Sequence, residues 1–266
     1  MRLSGLYRYP LKSSVAEPLT VSAIGALGLE GDRRWLVVDE TNGRFMTQRQ
    51  FPRMTQLTAR YTDDGLNLSA PGYGAIDVPQ PAENALERGV TVWTDTLRVP
   101  DAGDAAAAWL SAFFERSCRL VYMPEDCIRL VNGAEPGDRV SFADGFPVLL
   151  IGEGSLADLS QRVGRSLEML RFRPNLVISG IEPYAEDRWK RVRIGELEFR
   201  IAKPCTRCVM TTLDPETGEK SSDLEPLKTL ATYRKGEGGV LFGQNLVCDG
   251  IGRLEVGMAV EVVEYR

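Results

Sequence analysis

The first hundred residues alternate short apolar runs with turn signals, and from Val192 onward apolar and polar positions alternate with the period of strands that bury one face. Leu197, Phe199 and Ile201 alternate with Glu198 and Arg200, and Leu254, Val256, Met258, Val260 and Val262 keep the pattern over nine residues. That last run predicts one continuous half-buried strand. WLVVD, Trp35–Asp39, leads through Glu-Thr-Asn-Gly into RFMTQ, a hairpin signature. Residues 66–68, 90–93, 118–123 (CRLVYM), 148–151 and 175–180 (NLVISG) predict further strands. Two stretches carry helical spacing instead. Trp109, Leu110, Phe113 and Phe114 share one face after Asp104, a candidate N-cap. Ser155 with Asp158 resembles a helix-start box, and Leu156, Leu159, Val163, Leu167 and Leu170 continue it, with Gly164 as an interruption. Many short strands with two or three helices predict a mainly β, α+β chain with peripheral helices, barrel-like rather than doubly wound. Two β-rich units are expected, 1–100 and 101–266, with the boundary between Asp95 and Asp104.

Composition narrows the function. The 266 residues carry a formal net charge of −5, so a general nucleic-acid or anionic-membrane surface is not expected and any anion site must be local. No apolar run reaches the length of a membrane span, and MRLSGLYRYPLKSS lacks the apolar core of a signal peptide. A cytoplasmic protein is expected. Five cysteines with one close pair do not make a secreted disulfide framework. Histidine is absent, which removes Ser-His-Asp and Cys-His catalysis and imidazole as a general base. Chemistry must come from carboxylates, Lys, Tyr, a thiolate or a borrowed cofactor.

The close pair, Cys205 and Cys208, lies in KPCTRCVMTTLDPETG, 203–218. A structural zinc site needs about four N or S ligands, and only two are close together here. A thioredoxin-like dithiol opens a helix, whereas CVMTT reads as strand running into a turn. Inert core thiols are a third reading, favoured for Cys118, Cys127 and Cys248. Lys203 and Arg207 make the pair's surroundings electropositive, favouring a thiolate. Such a thiolate could ligate a metal delivered by an anionic cofactor. Asp214 and Glu216 read as turn residues, with proton delivery as the alternative.

MRLSGLYRYPLKSS, GDRRWLVVD, RFRPNLVISG, CTRCVMTTLDPETG and LFGQNL occur in this order. Together they resemble the MOSC family, in particular the two-part proteins related to the mitochondrial amidoxime-reducing component and its bacterial counterparts. The resemblance implies an N-terminal β-rich MOSC-associated domain followed by a MOSC β-barrel domain. It implies a molybdenum-molybdopterin cofactor with Cys208 as the metal ligand and catalytic thiolate. Lys12, Ser13, Arg33, Arg173, Asn175, Thr206 and Arg207 match cofactor-binding positions, with Arg34 a looser match. Asp144, Gly145 and Phe146 occupy a loop that lines the pterin in relatives, though their side chains depart from the pattern. Asn245 stands where some relatives have an aromatic residue. Lysine and arginine suit a phosphate, and Asn and Ser suit polar ring edges.

The activity implied is two-electron reduction of small N-hydroxylated or related N-oxygenated compounds. Some bacterial relatives continue into a ferredoxin-like [2Fe–2S] domain. This chain stops at EVVEYR without a cysteine cluster of that spacing. Electrons are therefore expected from a separate partner, an iron–sulfur or flavin protein. The alternative is a molybdenum-cofactor carrier or sulfur-handling module without reductase activity. MOSC domains also accompany sulfurating enzymes, and pyridoxal phosphate is a term of that wider family. No pyridoxal-phosphate lysine motif is visible here.

Overall fold

The longest alternating segments assemble into one large sheet. The computed structural model describes residues 1–266, and this sheet has nine strands. Its path runs Val260–Tyr265, Trp189–Ile194, Leu197–Arg207, Gly239–Cys248, Val148–Gly152, Leu176–Ser179, Arg2–Arg8 and Glu17–Leu19, with Lys235–Gly236 paired to Gly239–Cys248. Val148–Gly152 and Leu176–Ser179 pair in parallel, and helix α2, Glu153–Val163, makes the crossover between them. The alternation predicted for residues 197–201 is realised within the strand Leu197–Arg207. Phe199 and Ile201 enter a core with Leu3, Leu150, Val192 and Leu246. Arg200 faces outward to Asp138 and Asp249.

A second core lies under smaller sheets. Thr58–Thr62, Gly65–Ala70 and Gly74–Pro79 form a meander, and Glu87–Val92 pairs with Asp95–Pro100. Helix α1, Asp104–Phe114, buries Leu110 and Phe113 against Trp35, Leu66 and Leu120. The first strand of the chain thus belongs to the large sheet, while residues 104–122 complete the core formed by the earlier strands. Helix α3, Leu227–Tyr233, packs near Gly239–Cys248. No helix is long and apolar enough to cross a membrane.

Three local expectations change. Residues 254–262 are not one strand, because Gly257 turns the chain at φ 100°. Gly252–Glu255 pairs with Val21–Gly25, and Val260–Tyr265 pairs with Trp189–Ile194 in another sheet. The turn after Trp35–Asp39 forms, but RFMTQ contributes only isolated bridges, Phe45 to Val38 and Arg44 to Thr91. The full ladder of Trp35–Asp39 is with Cys118–Tyr122, a distant partner no local hairpin signal reveals. Neither helix uses its expected cap. Gly103 and Gly152 are the N-cap residues, Asp104 pairs with Arg119, and Ser155 donates to Glu186. Gly164 does end α2, in left-handed conformation.

Candidate functional site

A cavity of about 610 Å³ opens where loops from both cores meet. All twelve sequence-selected residues line it. Lys12, Ser13 and Arg33 come from the first hundred residues. Asp144, Gly145, Phe146, Arg173 and Asn175 come from loops and strand ends of the large sheet, and Thr206, Arg207, Cys208 and Asn245 from its two longest strands and the turn after the first. Backbone strain gathers here. Seven non-glycine residues have positive φ, and four of them (Ser13, Arg33, Trp93 and Arg173) line the cavity. Such conformations persist where the surroundings enforce them, a common property of binding sites.

Hydrogen bonds fix the walls. The buried Lys12 ammonium donates to Phe142 O at 2.7 Å and Asp144 Oδ1 at 2.6 Å. Burial pushes Lys12 down to about 8, against the opposing pull of Asp144. Desolvation works to raise the Asp144 carboxyl, but the charge and hydrogen bond of Lys12 outweigh it and hold it low. Arg33 donates to Asp32 at 2.6 Å and Asn175 Oδ1 at 3.1 Å. Its guanidinium lies 4.2 Å from the Tyr9 ring centroid, and that of Arg173 lies 4.1 Å from the same centroid. Tyr9 is fully buried and holds the two like charges through its ring. Asn175 lines the cavity as a brace, accepting from Arg33 and Leu149 N and donating to Tyr7 O.

Around Cys208 the charges are less compensated. Arg49 Nη2 approaches Cys208 Sγ at 3.4 Å, and Arg207 Nη1 donates to Cys205 Sγ at 3.0 Å. Lys203 sits 5.0 Å from the Phe146 ring centroid. Eight cationic side chains line the cavity against two carboxylates, Asp95 and Asp144. Lys12, Arg33, Arg129 and Arg171 have salt-bridge partners. Arg49, Arg173, Lys203 and Arg207 have none. Two of the cavity's guanidiniums have a buried nitrogen, Arg173 Nη2 and Arg207 Nε, that lacks any acceptor. A buried donor without a partner is costly, and these open donors suit an anion rich in acceptors.

All five cysteines are free, and no group of three or more His, Cys, Asp or Glu side chains is placed to hold a metal. The chain therefore supplies no four-ligand zinc site at Cys205 and Cys208. A metal on Cys208 needs its remaining donors from a carrier, and the unpartnered donors fit an anionic one. Asp214 accepts from Glu216 N and Thr217 N at 3.0 and 2.9 Å, which is turn chemistry. Sequence reasoning passed over Arg49, Trp93, Arg129 and Tyr9. Only tertiary packing brings Arg49 to Cys208 and Trp93 to Arg49. Arg129 fixes the lining loop through Ser141 O and Ala143 O, in a segment without a readable motif.

Known proteins resemble the chain over nearly its whole length. A model of the MOSC N-terminal beta barrel domain matches residues 1–117, and a model of the MOSC domain matches residues 137–261. Mitochondrial amidoxime-reducing component 1 of Homo sapiens is 34% identical over 272 residues, covering 95% of this chain and 80% of that protein. Its Mus musculus counterpart is 36% identical, covering 95% and 79%. Mitochondrial amidoxime reducing component 2 of Bos taurus is 34% identical over 275 residues, covering 96% and 81%.

Proposed function

Because the chain belongs to the MOSC family and carries both of its domains, we propose that it is a molybdenum-cofactor-dependent reductase of N-hydroxylated compounds. Its relatives are named for amidoxime reduction. The observation that carries the reading is the Cys208 thiol in a cavity of unneutralised cations, two of them with buried donors lacking acceptors.

Molybdenum-molybdopterin, when bound, supplies the two-electron chemistry: the substrate loses one oxygen, and with two protons and two electrons that oxygen leaves as water. Cys208 would be the protein's ligand to the metal. Arg173 and Arg207 offer their open N–H groups to the anionic carrier, with Lys12, Ser13 and Arg33 beside them. Thr206, Asn175, Asn245 and the 144–146 loop complete the polar lining. Asp144 holds Lys12 in place and keeps its charge on the cavity. Tyr9 keeps Arg33 and Arg173 side by side against their repulsion. No histidine is required, since protons reach the open cavity through water.

Electrons come from a separate iron–sulfur or flavin protein. Our reading keeps the chain in the cytoplasm, a reducing compartment that five free thiols suit, whereas the relatives are named mitochondrial. Turnover tests the reading. Cofactor-loaded protein with a chemical reductant should convert benzamidoxime to benzamidine, and Cys208→Ala should not. Tight cofactor binding without any turnover would replace the reductase with a carrier.

A further inference from the structure

We propose that Trp93 and Arg49 form a recognition element that selects N-hydroxylated substrates with a planar, conjugated group over aliphatic ones, an inference that rests on the reductase reading. Trp93 occupies the two-residue turn between Glu87–Val92 and Asp95–Pro100, with φ at 56°. Such turns favour Asn or Gly, yet here a left-handed position carries the largest side chain. The turn aims the indole at the cavity mouth, where 41% of the residue stays exposed.

The ring is held rather than loose. Its Nε1 donates to Asp144 Oδ1 at 3.3 Å, and Phe45 meets it edge-on with centroids 5.0 Å apart. The Arg49 guanidinium lies 4.8 Å from the Trp93 ring centroid and reaches Cys208 Sγ at 3.4 Å. One unneutralised guanidinium therefore spans from the thiol to the aromatic face. A substrate reacting beside Cys208 meets Arg49 first, whose N–H groups suit an N–O oxygen. A planar group attached to the reacting carbon then extends toward Trp93, where stacking rewards a conjugated ring and not an alkyl chain. The surrounding cations disfavour a cationic substrate, and N-hydroxylation keeps an amidine neutral.

Benzamidoxime and acetamidoxime share the reacting group and differ only in the ring. Trp93→Ala should raise the ratio of the benzamidoxime KM to the acetamidoxime KM about tenfold, and Trp93→Phe should restore most of that ratio. Binding is read independently by tryptophan fluorescence. Benzamidoxime should quench wild type saturably, and the quenching should vanish in Trp93→Phe, which keeps Trp35, Trp109 and Trp189. Equal quenching in both proteins, no quenching in wild type, or a KM that rises for both substrates together would overturn the proposal. If wild type reduces neither compound, the reductase reading fails, while the fluorescence still decides whether Trp93 binds the aryl group.

Discussion

Arg119 and Arg173 are the same residue type in opposite circumstances. Arg119 donates to Asp101 through Nε at 2.8 Å and Nη2 at 2.6 Å, and to Asp104 through Nη1 at 2.8 Å. Hydrogen bonds to Asp101 raise it above the ordinary arginine value, although burial works the other way. Arg173 has no carboxylate partner and one buried nitrogen without an acceptor. Burial pushes it down to about 10, and the neighbouring Arg33 adds to the effect. The first arginine is finished by its own chain. The second is finished only by something that binds, and the contrast separates structural cations from binding ones without reference to any motif.

Breaking the paired side should cost the fold most. Asp101→Ala removes the buried partner of Arg119 and leaves it only the exposed Asp104, and we expect a loss of about 3 kcal/mol in chemical denaturation, with the cavity unchanged. The unpaired side should respond in the opposite sense. Arg173→Met removes a buried, poorly satisfied charge, so cofactor-free stability should change by less than about 1 kcal/mol. Cofactor retention should nevertheless fall by roughly tenfold or more, since a hydrogen bond to a charged group is lost. Pterin content after gel filtration checks this, and a normal content would place Arg173 with Arg119.

A gentler test uses pH. Burial lowers Lys12 from 10.5 to about 8, so its positive charge faces the cavity below that pH and disappears above it. Pyrophosphate affinity, measured by calorimetry, should be full at pH 7 and drop as pH passes about 8, and Lys12→Met should remove the step. The sign for stability is opposite to anion binding. Between about 8 and 10.5 the unfolded chain holds more protons, so the cofactor-free fold gains stability as pH rises there. The smallest effect is expected at Asp214. Asp214→Asn preserves the acceptor used by two backbone N–H groups, so stability should stay within about 0.5 kcal/mol and turnover should not move. A large loss of turnover would return Asp214 to proton delivery.

Period-2 alternation and short apolar runs located strands such as Leu197–Arg207, Val148–Gly152 and Cys118–Tyr122, each of which packs apolar side chains on a core. Alternation could not see that Gly257 splits one run between two sheets, since a glycine at positive φ leaves the flanking alternation intact. It also could not find the partner of Trp35–Asp39, because that pairing closes a loop to Cys118–Tyr122. The candidate site was legible through short motifs whose residues sit at turns and strand ends, where Ser13, Arg33 and Arg173 adopt left-handed backbone. Arg49, Trp93 and Tyr9 carry no local signal. Their meaning comes from what they touch across the fold, a thiol for Arg49 and two guanidiniums for Tyr9.

Metal content of protein made in cells able to synthesise the molybdenum cofactor tests the central claim most directly, with Cys208→Ala prepared in parallel. We expect molybdenum approaching one atom per chain in wild type and its loss in the variant, with the fold of both intact. Zinc without molybdenum in the wild type, or molybdenum equally retained by Cys208→Ala, would contradict the assignment of Cys208 as the ligand at the cationic cavity.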